Sequence, residues 1–278
     1  SVCRILTINK ATRAWGICTA TLVSENELIT AGHCVSSLND TSTKTVRVSC
    51  GYIGPYGHLS PANEKHTGRT RTALQASFKE VHAISSIQMD EDYAGGGAHD
   101  VARIKLRGKS KLTPTRLPTA AEQKAMLAKK NVNYATECRT AGYGHSENNG
   151  FGLLHSSDSI PVIEIKPDRN GNIFEAKTVH KNLASKDAEK LIDLLKKKRF
   201  DDSDYNAKLA TSITQTKNIR YAIQKGDSGG PLYCREKNSK EWKLLGVSSW
   251  FHYKIDHASK DLAIRSGWAP VMEATFGK

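Results

Sequence analysis

A serine between glycines is the first candidate for chemistry in this sequence. Ser228 lies in the run GDSGGP at 226–231, and the flanking glycines predict a tight turn that exposes its hydroxyl. A serine hydroxyl is a weak nucleophile, so it needs a base to take its proton. It also needs donors for the oxyanion that forms on attack at a carbonyl, and Gly226 leaves its N–H unobstructed for this purpose. Taken alone, the run is also typical of a glycine-rich hairpin turn.

A histidine and an aspartate supply the other parts of such a site. His33 ends an apolar strand in the run TAGHC, and imidazole titrates in the range that suits a general base. Asp100 precedes the run VARIKL, whose alternation predicts a half-buried strand with Ala, Ile and Leu on the inner face. An acid there can fix the tautomer of a histidine and stabilise its protonated form. Asp90 and Asp92 compete for this role but lack an alternating strand directly after them.

The elements that position these residues are mostly short strands. Runs rich in Val, Ile and Thr predict strands at 1–8, 17–23, 28–31, 45–50, 81–87, 100–106, 134–141, 159–165, 217–223, 231–234 and 243–250. Helices are predicted at 120–129, 185–199 and 268–276. Many short strands with few helices favour a sandwich or a barrel.

Composition narrows the class of protein. The 41 Lys and Arg against 28 Asp and Glu give a net charge of +13, which suits acidic partners, although basic residues spread along a chain more often form a solubilising surface. No apolar run approaches the roughly 20 residues of a membrane span. The strand-like start of the chain, without a signal peptide, is expected of a mature product.

Cysteine usage indicates the redox compartment. The 6 cysteines form no CxxC pair, so they favour disulfides over a zinc site, and hence an oxidising compartment. Spacing alone leaves their pairing open. The cysteines are Cys3, Cys18, Cys34, Cys50, Cys138 and Cys234.

Together, the segments AGHC, DVARIKL and GDSGGP, in that order, resemble the signatures of the chymotrypsin-like (trypsin-fold) serine endopeptidases. This resemblance implies an all-β fold of two six-stranded antiparallel β-barrels with the active site in the cleft between them. One peptidase domain would fill 1–278, with a C-terminal helix and a helical insertion in the second half. Its parts would be a first barrel at about 1–115, a connection at about 107–133, a second barrel at about 134–266 and the C-terminal helix at about 267–278.

The resemblance also implies a mechanism. Ser228 would attack the peptide carbonyl as His33, oriented by Asp100, takes its proton. The N–H groups of Gly226 and Ser228 would hold the oxyanion, and no metal or organic cofactor is required. The implied disulfides are Cys18–Cys34 and Cys138–Cys234, which leaves Cys3 to pair with Cys50.

The sequence departs from that family at the acid before the nucleophile. In activated members a new terminal amine pairs with this acid, here Asp227, but the usual Ile-Val-Gly-Gly terminus is missing. We therefore expect Asp227 to have another partner, and a Ser1 amine bonded to Asp227 would contradict this. The long segment 145–216 also departs, and we expect it to shape substrate access, to bind a partner or to be a plain surface insertion.

The specificity pocket lacks its familiar residues as well. Ala222 stands where trypsin-like members carry an acid, and the bulky Phe251 replaces a glycine, so a small or apolar P1 residue is favoured over Arg or Lys. Lys225 and His252 at the rim leave an acidic P1 residue as the alternative. The residues expected to bind substrate are Ala222, Ile223, Lys225, Ser249, Trp250 and Phe251, of which Ser249-Trp250 resembles the strand that holds the substrate backbone.

The hypothesis from sequence is a monomeric serine endopeptidase, secreted or periplasmic, that acts on protein or peptide substrates. Its alternative is a catalytically silent trypsin-fold homologue that binds polyanions through its basic surface. The complete set of His33, Asp100 and Ser228 and the N–H of Gly226 favour the enzyme.

Overall fold

The structure is a computed structural model. It describes residues 1–12, 15–36, 38, 44–53, 78–119, 121–122, 136–146, 150–152, 154–157, 160, 163–168, 171–180, 189, 192–194, 223–236, 239–256, 258–259 and 261–271.

In the first half of the fold, the described residues form seven strands and one helical turn. The strands are β1 (Val2–Asn9), β2 (Trp15–Ser24), β3 (Glu27–Thr30), β4 (Lys44–Tyr52), β5 (Phe78–His82), β6 (Ile84–Met89) and β7 (Ala102–Leu106), and the helical turn is α1 (Gly32–Val35). They form an antiparallel sheet in the order β5-β4-β1-β2-β3-β7-β6. Only Ala83 separates β5 from β6, which lie at opposite edges, so the sheet closes and β5–β6 acts as one bent sixth strand.

The second half repeats this arrangement. Its strands are β8 (Thr136–Gly142), β9 (His145–Ser146), β10 (Gly150–Phe151), β11 (His155–Ser156), β12 (Glu164–Asp168), β13 (Gly171–His180), β14 (Pro231–Glu236), β15 (Lys243–Ile255) and β16 (Leu262–Pro270). The main sheet has the order β11-β8-β14-β15-β16-β13-β12. The segment from His155 to Asp168 pairs with β8 at one end and with β13 at the other, so it brings the two edges together. The predicted two-barrel, all-β fold is confirmed.

Alternating burial along the strands builds the two cores. In β7, Ala102, Ile104 and Leu106 are buried and Lys105 is exposed, as the pattern predicts. Val101, which the same alternation places on the opposite face from Ala102, is also fully buried. It precedes the strand and belongs to an apolar cluster that joins the two barrels, which includes Ile29 of the first and Leu244, Val247 and Ala269 of the second.

The C-terminal helix predicted from about 267 is wrong at its start. Trp268 and Ala269 lie in β16 and are fully buried; Trp268 pairs with both β13 and β15, and Ala269 pairs with β15. Strand pairing on both sides holds this segment extended against its local helical pattern. Residues 272–278 lie outside the described part of the chain.

Part of the predicted insertion at 145–216 belongs to the second barrel. β13 pairs along its whole length with β12 or β16, although the sequence pattern predicted no strand there. The predicted strand at 81–87 is divided between β5 and β6. Helical backbone is present at 121–122, 189 and 192–194, and the rest of the helices predicted at 120–129 and 185–199 lies outside the described residues, as do 217–222.

Three disulfides crosslink the fold. Cys3–Cys50 joins β1 to β4, and Cys138–Cys234 joins β8 to β14, each between residues that face one another in the ladder. Cys18–Cys34 ties β2 to α1. These are the pairs that the resemblance implies, and bonds of this kind form in an oxidising compartment. None of the helices in the described residues is long and apolar enough to cross a membrane.

Candidate active site

His33 is held by the short helix that follows the first-barrel core. α1 begins after the buried strand β3, and its residues Gly32, Cys34 and Val35 are buried, whereas the His33 side chain is 35% exposed. The Cys18–Cys34 disulfide closes a loop of 16 residues and fixes this helix to β2. A crosslink of that span lowers the conformational entropy of the unfolded chain, which stabilises the folded state by about 3 kcal/mol. His33 therefore reaches solvent from a rigid support.

Asp100 lies behind His33 and contacts it twice. One carboxylate oxygen accepts the His33 backbone N–H at 2.8 Å, and the other lies 2.7 Å from His33 Nδ1. Ser249 Oγ donates to the same second oxygen at 2.6 Å. The side chain of Asp100 is fully buried, so three donors from two elements compensate its charge. This arrangement places the proton of His33 on Nδ1 and leaves Nε2 as the basic nitrogen.

Ser228 lies in a turn that is packed against the His33 helix. The carbonyl oxygen of Ser228 lies 3.5 Å from Cys34 Sγ, which in turn lies 3.9 Å from His33 Nε2. Gly229 has a φ of +78°, and a side chain there would collide with Thr30 and with the carbonyl of Thr19. The glycine after Ser228 is thus required for the two barrels to approach this closely.

No hydrogen bond joins Ser228 Oγ to His33 Nε2 within the described residues. Such bonds are often long in ligand-free enzymes and shorten when substrate binds. The structure nevertheless places the serine turn beside the His33–Asp100 pair, through the contacts of Cys34 Sγ.

The backbone around Ser228 offers two N–H groups to a ligand. Gly226 has a φ of +98°, which a residue with a side chain rarely adopts. Among the described residues, neither the Gly226 N–H nor the Ser228 N–H donates to a protein acceptor. Both carbonyls, in contrast, are bound to the first barrel: Thr19 Oγ1 donates to Gly226 O at 3.0 Å, and Thr19 N donates to Ser228 O at 2.7 Å.

Asp227 is a buried carboxylate with partners from three segments. It accepts the Gly144 N–H at 2.8 Å and the Gln224 N–H at 2.9 Å, and His155 Nε2 lies 3.1 Å from it. The Ser1 amine instead donates to Thr113 O and Thr115 Oγ1. The expectation that Asp227 has a partner other than the Ser1 amine is confirmed.

The residues predicted to bind substrate are distributed along two segments. Ile223 is buried, and Lys225 is half-buried, in the turn before Ser228. Ser249, Trp250 and Phe251 follow one another on β15. Ala222 lies outside the described residues. The strand predicted to end at 250 continues to 255 and pairs with β16, so this side of the site is a β-hairpin.

Two aromatic rings on that hairpin face the segment before Ser228. The rings of Phe251 and Tyr253 lie 5.4 Å apart on the same face of β15. The Tyr253 hydroxyl donates to the carbonyl of Ile223 at 3.0 Å, and burial raises the pKa of Tyr253, which keeps the phenol neutral. Tyr253 thus links β15 to the segment that carries the nucleophile candidate.

Sequence reasoning missed three residues of this site. Thr19 and His155 act across long distances in the chain, and no local pattern marks them. Tyr253 could have been found, because the alternation that includes Phe251 continues for two more residues.

Among the described residues, two groups of side chains of the types that can bind metals lie near the site. Cys18 and Cys34 approach His33, but their sulfurs form a disulfide and offer no thiolate to a metal. Asp90, Asp92 and His99 also cluster, with Asp90 already bonded to the Asp92 N–H and to His99 Nδ1. These hydrogen bonds within the loop explain why the three side chains lie close together.

Comparison with known proteins agrees with this geometry. A family model described as Trypsin matches residues 6–193 and 180–267, so the chain belongs to the trypsin family of chymotrypsin-like serine proteases. It is 22% identical to human testisin over 241 residues, which are 86% of this chain and 63% of testisin.

Two further relatives match over different lengths. The chain is 22% identical to clotting factor C of Tachypleus tridentatus over 247 residues, 84% of this chain and 19% of that protein. A stretch of 28 residues, 10% of this chain, is 61% identical to mouse transmembrane protease serine 7 and covers 3% of it. The chain thus spans less than two thirds of each of these relatives.

Proposed function

We propose that the protein is a serine endopeptidase in which Ser228 is the nucleophile, His33 the general base and Asp100 the residue that orients the base. The observation that carries this proposal is the hydrogen-bonded series Ser249–Asp100–His33 beside a turn whose Gly226 and Ser228 N–H groups have no described protein acceptor. A base, an orienting acid and two unpaired donors around one serine hydroxyl are the parts that acyl transfer needs.

The reaction proceeds by acyl transfer in two steps. Ser228 Oγ attacks the peptide carbonyl while His33 Nε2 takes its proton, and the N–H groups of Gly226 and Ser228 stabilise the oxyanion. The protonated His33, stabilised by Asp100, then gives the proton to the leaving amine. Water repeats the sequence on the acyl-enzyme and releases the acid.

A small or apolar P1 residue fits the pocket best. Phe251 and Tyr253 place two rings beside the segment that would form the pocket wall, and the Tyr253–Ile223 hydrogen bond closes the gap between them. A pocket of this kind leaves little room for a long side chain, so cleavage after Arg or Lys is disfavoured. An acidic P1 residue is the second candidate, because Lys225 and the exposed His252 flank the same segments.

Secretion to an extracellular or periplasmic space suits the three disulfides. In this setting the substrates are proteins or peptides, and the protein acts as a monomer. The +13 surface would also draw acidic polymers toward the protein.

Labelling with a fluorophosphonate, which reacts with activated serines, tests the proposal. The wild-type protein is expected to incorporate one label, Ser228→Ala none, and the control Ser86→Ala, an exposed serine of β6, the wild-type amount. Folded wild-type protein without label would overturn the proposal. Salt-sensitive binding to heparin or DNA in that case would indicate the silent, polyanion-binding homologue instead.

A further inference from the structure

The buried carboxylate of Asp227 requires compensation that backbone donors supply only in part. Its side chain is 7% exposed and accepts N–H groups from Gly144 and Gln224. The Asp227 carboxylate packs directly against the backbone of Gly142 and Gly144, because a Cβ at either glycine would collide with it. Backbone amides satisfy its lone pairs but bring no full positive charge, and a charge removed from water is stable when it is paired.

His155 is the basic group that faces this carboxylate. Its Nε2 lies 3.1 Å from Asp227 Oδ1, and its side chain is 25% exposed. Within the described part of the chain, no other basic side chain forms an ion pair with Asp227. The other titratable group described as facing Asp227 is Tyr253, which burial keeps neutral. His155 is therefore the basic side chain that the structure places against this carboxylate.

The position of His155 is set by strand pairing. His155 pairs with Gly142 in the β11–β8 ladder, directly beside the turn at 142–144 that packs on Asp227. Strand pairing within the second barrel therefore places the imidazole next to the carboxylate.

Asp227 is also the residue between the two oxyanion donors. Its carboxylate binds Gln224 N, its own N–H donates to Gln224 O at 3.0 Å, and its carbonyl accepts Gly230 N–H at 2.7 Å. These contacts define the turn that aims the N–H groups of Gly226 and Ser228. If the carboxylate leaves its site, the turn loses the anchor between its two donors.

We infer that His155 is the positioning residue that holds Asp227, and through it the oxyanion donors Gly226 and Ser228, in working geometry. The inference rests on the proposed function, because it concerns the same site. His155 takes no part in the bond changes. It holds the buried carboxylate from within the barrel through the contact between its Nε2 and Asp227 Oδ1.

The experiment measures kcat and KM for a peptide ester with the full chain. His155→Ala is expected to lower kcat about 10- to 100-fold with KM nearly unchanged, because oxyanion stabilisation acts in the transition state. His155→Lys again places a basic side chain beside Asp227 and is expected to recover part of kcat. His155→Gln, which keeps a neutral donor, carries the same test if the alanine variant does not fold.

A matched control and a double variant separate this role from general destabilisation. His82→Ala removes a similar pair, since His82 Nε2 lies 2.9 Å from Glu80 on the first barrel, and is expected to leave kcat unchanged. In an Asp227→Asn background, His155→Ala is expected to cause no further loss, because the two residues act as a unit.

The outcomes distinguish the two proposals. A folded His155→Ala variant with kcat within about threefold of the wild type, or a loss that is fully additive with Asp227→Asn, overturns the role of His155. Wild-type protein that fails to label at Ser228 overturns the proposed function instead.

Discussion

Thr19 Oγ1 donates a 3.0 Å hydrogen bond to the carbonyl of Gly226, so a strand of the first barrel holds the turn of the second that carries the nucleophile candidate. The same hydroxyl accepts the Tyr143 N–H at 3.1 Å, and the Thr19 N–H binds Ser228 O at 2.7 Å. Thr19 is fully buried. Thr19 therefore connects the half of the site that contains the candidate base to the half that contains the candidate nucleophile.

Replacing this hydroxyl is expected to impair both stability and catalysis. Thr19→Val keeps the shape but leaves the Tyr143 N–H and the Gly226 carbonyl unpaired in the interior, at a cost of about 1–3 kcal/mol of unfolding free energy. We expect kcat to fall about tenfold or more while KM changes little. Thr19→Ser keeps the donor and should retain kcat. Equal kcat values for the valine variant and the wild type, measured well below the melting temperature, would contradict this role.

We expect the orientation of His33 to depend on a carboxylate, rather than an amide, at position 100. Three groups donate to or contact the Asp100 oxygens: His33 N, His33 Nδ1 and Ser249 Oγ. In Asp100→Asn the amide NH₂ faces these donors and favours the other tautomer of His33, so kcat should drop by about 10⁴-fold. Asp92→Asn, which changes one of the competing aspartates, is the control and should be close to wild type. A drop for Asp92→Asn alone would reassign the orienting acid.

The sequence was sufficient for the parts of this site that lie in contiguous runs. His33, Asp100 and Ser228 each stand in a short segment whose residue types state a local role, and the strands before them follow the period-2 pattern. The two-barrel fold followed from the same segments, because their order resembles that of a family with this architecture.

The contacts made across the barrels could not be predicted in this way. Thr19 and His155 look like ordinary strand residues, and their roles arise only when the ladders bring them to Gly226 and Asp227. The misplaced start of the final helix has the same origin: Trp268 lies in a segment with helical features, but pairing with β13 and β15 keeps it extended. Tertiary pairing overrides local propensity at such positions.

An ion pair in the connection between the barrels is expected to make a contribution to stability that is lost in acid. Lys243 Nζ donates to Glu122 at 2.5 Å, and the Thr119 N–H donates to the same carboxylate at 2.7 Å. These bonds lower the pKa of Glu122 to about 2. A carboxylate with a lowered pKa in the folded state contributes stability above its ordinary pKa, and this is lost as pH falls through the folded value.

Thermal unfolding of Glu122→Gln tests that contribution. The variant should be less stable than the wild type above about pH 4.5, by about 1 kcal/mol or less because the pair is partly exposed, and the difference should vanish near pH 2. Glu91→Gln, at an exposed residue after β6, serves as the control. A difference that is independent of pH would exclude the ion pair as its cause.

The aromatic pair on β15 predicts a change of specificity. Phe251→Ala removes a ring that lies 5.4 Å from Tyr253 and beside the segment of Ile223, so it should enlarge the pocket. In a peptide library, we expect cleavage after Phe and Leu to rise by about tenfold or more relative to cleavage after Ala and Val, since each buried methylene is worth about 0.8 kcal/mol. Tyr253→Phe keeps both rings and loses only the hydrogen bond to Ile223, so it should keep the wild-type profile. A wild-type profile dominated by Arg or Lys would show that the rings do not limit the pocket, and one dominated by Asp or Glu would assign the P1 preference to Lys225 and His252 instead.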